Sequence, residues 1–353
     1  MRHGSNINPD NRFNSIHQAD DFEHLDVEDK AALEGDPRVP IQYISDGSQS
    51  IVSENDSPDI PFRYSLNPYR GCIHGCSYCY ARPTHEYLGF SAGLDFETKI
   101  VVKEDSARLF REFLRRKSWQ PEPIAFSGVT DCYQPAERHF QLTRSCVEIA
   151  LQCRQPIGII TKNALVMRDL DLLTEMAKLR LIHVAISVTT LEPKLAREME
   201  PRTSIPAARL GAIGKLTQAG VPVRLMVAPI IVGLNDSEIP AILQAGKDAG
   251  ATAAGYQLLR LPWTVLPVFE EWLHRTQPLK ADAVLSKIKS TRDGKMNDAT
   301  FGRRMSGQGI FAEQVKSIFQ LFQRKLGFAD ELPERDCSKF EPPLPESGQL
   351  RLF

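Results

Sequence analysis

This 353-residue sequence predicts an α/β fold, a parallel sheet covered by helices, and three patterns carry that expectation. Short runs that are apolar almost throughout recur along the chain, as strands buried on both faces do. A longer stretch with helical spacing follows each run, the alternation that builds parallel sheets. Hydrophobic residues make up 42% and charged residues 25%, enough apolar material for a sizeable core in an ordinary globular composition.

Residues 1–60 are rich in Asn, Asp and Ser and lack sustained periodicity, which predicts a largely disordered acidic arm with one short strand at 41–44. The arm carries thirteen acidic and four basic side chains, a balance of −9, leaving +8 on residues 61–353 within a net charge of −1. A basic body with an acidic arm is compatible with a polyanionic partner.

Strands are expected at 99–103, 124–127, 157–161, 181–188, 223–227 and 253–259. Helices are expected between and after them at 106–117, 142–153, 170–179, 206–219 and 237–249. Periodicity alone leaves a partial barrel and a doubly wound sheet both open. Beyond residue 260 the pattern gives helices at 268–275, 281–290 and 310–326, with a glycine-rich loop holding Arg292, Lys295, Arg303 and Arg304. That loop could grip phosphates. The expected division is an arm over 1–60, a body over 61–275, a helical and basic-loop extension over 276–328, and an extended Pro-rich tail over 329–353. No apolar run approaches the ~20 residues of a membrane span, and no apolar leader opens the sequence. Seven cysteines, an odd number with three clustered, suit a reducing compartment rather than a disulfide framework. The expectation is a cytoplasmic protein with no membrane partner.

The stretch from Asn67 to Tyr80 reads Asn-Pro-Tyr-Arg-Gly-Cys-Ile-His-Gly-Cys-Ser-Tyr-Cys-Tyr. Cys72, Cys76 and Cys79 stand at C-x3-C-x2-C spacing, in a Gly- and aromatic-rich loop. Thiolates are the soft ligands that iron–sulfur clusters and zinc prefer. Three of them can hold three corners of a 4Fe-4S cluster and leave one iron open, whereas such clusters usually take four cysteines. A structural zinc site would need a fourth ligand, from His74, His85 or a remote cysteine.

With Tyr78 directly before Cys79, the motif resembles the signature of radical S-adenosylmethionine enzymes. The resemblance covers roughly residues 60–275 and implies the partial (β/α)6 TIM-like barrel of that family. It implies a 4Fe-4S cluster on Cys72, Cys76 and Cys79, and S-adenosyl-L-methionine chelated at the open iron. It implies reductive cleavage of that cofactor to a 5′-deoxyadenosyl radical, fed by a flavodoxin- or ferredoxin-type electron donor. By motif position Tyr78 is expected near the adenine. Ser127, Gly128 and Thr130 resemble the edge that binds the cofactor's amino group. Lys162 is expected to pair with its carboxylate, Ser187 to contact ribose or carboxylate, and the segment holding Ile230 and Gly233 to resemble the adenine motif.

The extended Asn67-to-Cys72 motif, the run Cys79-Tyr-Ala-Arg-Pro and the strand end Ile160-Thr-Lys162 are similar to the spore photoproduct lyase-related branch. That branch implies a DNA repair lyase, with Cys132 as the candidate thiol returning hydrogen. Cys146 and Cys153 fall in a helical pattern and are expected in the core. Gln349-Leu350-Arg351-Leu352-Phe353 resembles the peptide that bacterial repair proteins insert into the sliding clamp, with Gln349, Leu350, Leu352 and Phe353 as anchors. Two other classes stay open: a radical enzyme acting on RNA, protein or a small molecule, and a non-catalytic metal-binding adaptor associated with the clamp.

Overall fold

The computed structural model describes residues 3–9, 11–13 and 40–344; the clamp-like peptide lies outside them. The strands are β1 Gln42–Ser45, β2 Val52–Glu54, β3 Tyr64–Leu66, β4 Tyr69–Arg70, β5 Lys99–Val102, β6 Ile124–Phe126, β7 Ile157–Thr161, β8 Ile182–Ser187, β9 Val223–Ile230 and β10 Ala253–Leu258. Seven of them form one sheet in the order β10-β9-β8-β7-β6-β3-β2. All pairs are parallel except β2 with β3. From β3 to β10 the order never reverses. Right-handed crossovers between successive neighbours then keep the helices on one face, whereas a doubly wound sheet reverses and covers both. The sheet is open at β2 and β10, with no closure into a barrel among the described residues.

The apolar runs became strands because they are buried: Ile124, Ala125 and Phe126 of β6 are all buried, and β7 buries Ile157, Ile159 and Thr161 on one face with Gly158 and Ile160 half-buried on the other. The helix Ser106–Leu114 shows the complementary rule. It buries Leu109, Phe110 and Leu114, while Arg108 faces solvent and pairs with Asp105 and Glu112 at 2.8 and 2.7 Å.

Two expectations need correction. The run at 99–103 is a strand, but it lies outside the main sheet, between β1 and β4 in a separate three-stranded sheet. The sixth parallel strand is instead β3, in register with β6 from Tyr64↔Ile124. The described parts of the acidic arm are also ordered. They supply β1 and β2, and residues 3–9 pack on the cysteine loop, with His3 and Ser5 buried. The described part of the tail, 329–344, is mostly extended and docked under the amino ends of the strands. Ala329 bridges Ala253, Asp336 N donates to Arg180 O at 2.9 Å, and Glu341 N to Cys153 O at 2.8 Å. The opposite edge is left to the loops that follow each strand, where parallel α/β sheets place their sites.

Candidate metal and cofactor site

The cysteine loop leaves β4 at the carboxyl edge, and its shape depends on backbone that only glycine tolerates. Gly71 and Gly75 have φ of 77° and 64°. A Cβ would lie 2.9 Å from Lys99 O at the first and 2.5 Å from Glu97 Oε2 at the second. The loop is tied down on both sides: Cys72 N donates to Phe96 O at 2.8 Å and Ser77 N to Met199 O at 3.0 Å. Gln134 accepts from Ile73 N at 2.9 Å and donates to Gly71 O at 3.0 Å. Arg82, fully buried, grips Cys76 O through Nε at 3.0 Å and Nη2 at 2.8 Å. Its charge is balanced by Glu97, which also pairs with Arg202 at 2.7 Å.

Cys72 and Cys76 are buried and Cys79 is half-buried. Cys79 packs both with Cys76 and Tyr78 and with Cys72 and Phe96, so it joins the three. Burial pushes the Cys72 thiol up to about 12 and raises those of Cys76 and Cys79. Cys79 adds to the rise on both of the others, so the three lie within electrostatic reach of each other. Lys162 opposes it at Cys76 and Cys79. Among the described residues no three His, Cys, Asp or Glu side chains are gathered as ligands of one ion. The donor chemistry nevertheless fits an iron–sulfur cluster: three neighbouring thiols on one fixed loop, which would shed their protons on binding.

The histidines considered as a fourth zinc ligand are engaged elsewhere. His74 Nε2 meets Asn163 Nδ2 at 3.2 Å, with Nδ1 3.5 Å from Asp131. Burial lowers its pKa to about 4, so it is neutral at pH 7. His85 Nε2 meets Lys99 O at 3.0 Å.

Lys162 directly follows β7. Its backbone N donates to Asp131 Oδ2 at 2.8 Å, and its ammonium lies 5.9 Å from the Tyr78 ring centroid. No hydrogen-bond partner for Nζ exists among the described residues. Burial would lower its pKa, but Cys76 and Glu200 override that and raise it. The result is a charged ammonium beside the thiols with no bonded carboxylate. Glu200, also buried, accepts from Tyr78 Oη, from Thr189 Oγ1 at 2.6 Å, and from Arg209 Nη2. Burial would raise its pKa, yet Arg209 and Lys162 hold it low. Tyr78 therefore spends its hydroxyl on Glu200.

Several expected cofactor contacts are occupied by the fold itself. Ser127, at a φ of 110°, donates to Ile160 O at 2.7 Å and accepts from Cys132 N at 3.2 Å. Thr130 Oγ1 donates to Tyr69 O at 2.9 Å. Gly128 O accepts from Tyr80 Oη at 2.7 Å. As placed, these residues shape a turn. Ser187 ends β8, where its carbonyl accepts from Arg209 Nη1 at 3.0 Å. Ile230 ends β9, and its carbonyl accepts from Leu259 N at 2.9 Å. Gly233, at a φ of 89°, donates to Asp236 Oδ1 at 2.8 Å. Ser187, Ile230 and Gly233 thus share the edge that carries the cysteine loop.

Cys132 does not occupy a position suited to hydrogen return. It is fully buried within the main core beside Phe126, Tyr133 and Cys146, its Sγ directed at Phe126 O at 3.7 Å. Burial raises its thiol well above the ordinary range. It is a small apolar filler there. The basic loop is corrected as well. Arg292 is buried and donates to the carbonyls of Arg303, Arg304 and Leu259, while Arg304 pairs with Asp59 at 2.7 Å. Both hold the loop rather than reach outward.

Sequence reasoning missed the two buried ion pairs, Arg82–Glu97 and Arg209–Glu200. Arg82 stands inside the run Cys79-Tyr-Ala-Arg-Pro, and an arginine so close to three thiols was the one signal available. Glu97, Glu200 and Arg209 sit in unremarkable surroundings.

Comparison with known proteins identifies the family and the fold. An uncharacterized protein of Mycobacterium tuberculosis is 41% identical over 221 residues, 62% of this chain and 65% of that protein. An uncharacterized protein of Methanocaldococcus jannaschii is 30% identical over 177 residues, 50% of this chain and 63% of that one. The chain thus spans just under two thirds of the length of these curated relatives. The solved structure of spore photoproduct lyase complexed with dinucleoside spore photoproduct superposes with a TM-score of 0.61, covering 81% of this chain and 80% of that one at 16% identity, which is a likeness of fold. The family model described as the Radical SAM superfamily matches residues 66–245, a span that takes in the cysteine loop, Lys162 and Glu200. With three coupled thiols and an unpaired ammonium at the carboxyl edge of its sheet, the chain belongs to the Radical SAM superfamily, and its cofactors are a 4Fe-4S cluster and S-adenosyl-L-methionine.

Proposed function

We propose that this is a cytoplasmic DNA repair enzyme related to spore photoproduct lyase, built on that family's partial barrel. The observation that carries the enzyme reading is the unpaired Lys162 ammonium beside three coupled thiols. When both cofactors are bound, the chemistry supplied is one-electron reductive cleavage of the sulfonium, fed by a flavodoxin- or ferredoxin-type donor. Cys72, Cys76 and Cys79 would hold the cluster, and Lys162 would take the carboxylate of S-adenosyl-L-methionine. Glu200 and Arg209 keep Tyr78 in place beside it, and the buried loop excludes water. The likeness of fold to the lyase in complex with its lesion over 81% of this chain supports a DNA substrate. Among the described residues no helix is long and apolar enough to cross a membrane. Recruitment to the sliding clamp through Gln349, Leu350, Leu352 and Phe353 completes the proposal; a clamp-binding measurement with and without residues 349–353 tests it.

The enzyme reading is tested by anaerobic reconstitution followed by reduction. Four iron and four sulfide per chain are expected, with 5′-deoxyadenosine formed and an ultraviolet-damaged oligonucleotide repaired. One zinc per chain without visible absorption would instead mark the chain as a metal-binding adaptor. Cofactor cleavage without repair would move the substrate to RNA, protein or a small molecule. Lys162→Met gives a narrower check. A charge-assisted bond is worth about 1.5–3 kcal/mol, so the Kd for S-adenosyl-L-methionine should rise about ten- to hundred-fold by equilibrium dialysis of the reconstituted protein. An unchanged Kd would remove Lys162 from the site.

A further inference from the structure

The loop that follows β10 at the carboxyl edge has no role in the site described so far. It presents two features that a packed loop does not need. Arg260, half-buried, has a buried Nε without a partner, and its Nη1 finds only the Met305 sulfur at 3.7 Å. The neighbouring arginines have their terminal nitrogens bonded: Arg304 to Ser57 Oγ, with its Nε on Asp59 at 2.7 Å, Arg303 to Gln308 at 2.9 Å, and Arg292 to three carbonyls, although its Nε is left without a partner. Among the described residues Arg260 has neither a carboxylate nor a carbonyl bonded to its guanidinium. A partly desolvated cation in that state is costly until an anion reaches it.

Three residues on, Trp263 is 67% exposed and holds a φ of 46°. A bulky residue in the left-handed region is a genuine outlier, and such strain collects at binding and catalytic sites. The Arg12 guanidinium lies 4.1 Å from its ring centroid, so the indole already acts as a stacking surface for a flat group. The loop also borders the thiol site. Leu259 N is bonded to Ile230 O at 2.9 Å, and Arg260 lies within electrostatic reach of Tyr80, next to Cys79.

We propose that Arg260 and Trp263 form a nucleotide subsite, Arg260 binding a phosphodiester and Trp263 stacking a base of single-stranded or locally opened DNA. This rests on the DNA reading above and names the residues that would hold the strand beside the cluster. An anion contact fixes register, and an aromatic face accepts any base. The combination suits an enzyme that recognises damage rather than sequence.

The test is binding of fluorescein-labelled oligothymidylate to the full-length protein by anisotropy across a salt series. Arg260→Met should weaken binding and flatten the slope of log K against log salt by about 0.7, one phosphate contact on a single strand. Arg260→Lys should keep the slope. Trp263→Ala should weaken binding about ten- to hundred-fold with the slope unchanged. Wild-type slope and affinity in Arg260→Met and Trp263→Ala would overturn the subsite while leaving the DNA reading standing. No binding by the unmodified protein would overturn both.

Discussion

Replacing Cys76 with alanine is expected to abolish cluster assembly and, with it, cleavage of S-adenosyl-L-methionine. The expectation is sharp because this cysteine is held on both its backbone and its side chain. Its carbonyl receives two hydrogen bonds from the buried Arg82 guanidinium, and its thiol is buried against Tyr78. No other thiol of the chain can swing in: Cys132, Cys146 and Cys153 lie in the main core, and Cys337 sits in the tail docked under the amino ends of the strands. Truncating one small thiol costs about 1 kcal/mol of burial, so the variant should fold. Iron and sulfide after anaerobic reconstitution should fall to background, and the visible absorption should vanish. Cys146→Ala, which removes a thiol from a core helix, should keep the wild-type iron content. Full cofactor cleavage by Cys76→Ala would refute its assignment as a ligand.

The cysteine motif was legible because its information is local: three thiols within eight residues need no knowledge of the fold. The strands at 157–161, 182–187 and 223–230 were legible for a related reason, since one fully buried face and one half-buried face write themselves as short, mostly apolar runs. β3 was not. It is only three residues long, and its parallel pairing with β6 joins Tyr64 to Ile124, a distant contact. β5 shows the opposite failure. Lys-Ile-Val-Val reads like any core strand, and only its pairing with β1 and β4 removes it from the main sheet. The polar residues follow the same logic. Lys162 could be placed because it directly ends an apolar run. Ser127 and Thr130 looked like ligand contacts, but a hydroxyl at a strand end serves a turn equally well. Here Ile160 O and Tyr69 O take their protons. Buried ion pairs leave no periodic trace at all.

Glu97→Gln tests the buried pair that carries the cysteine loop. The Glu97 carboxylate accepts from Arg82 Nη2 at 2.5 Å, from Arg202 Nη2 at 2.7 Å, and from Gly4 N and Ser5 N at 3.1 and 2.9 Å. It thereby ties the amino-terminal segment and the loop to one charge. Removing that charge leaves Arg82 buried without its carboxylate, a loss of about 3–5 kcal/mol. The unfolding midpoint should fall on the order of 10 °C, and iron uptake should fall with it, because Arg82 positions Cys76. Burial alone would raise the Glu97 pKa, but Arg82, His3 and Arg202 overcome it and lower the value from 4.5 to about 2. A depressed carboxylate stabilises the fold above its unfolded pKa and loses that contribution as pH falls through the folded one. The wild-type protein should therefore shed ~3 kcal/mol between about pH 4.5 and pH 2 from this group, read as a falling urea midpoint. Glu97→Gln, less stable at neutral pH, should show a shallower decline across the same window. Equal slopes in the two proteins would show that Glu97 does not carry the charge that holds the loop.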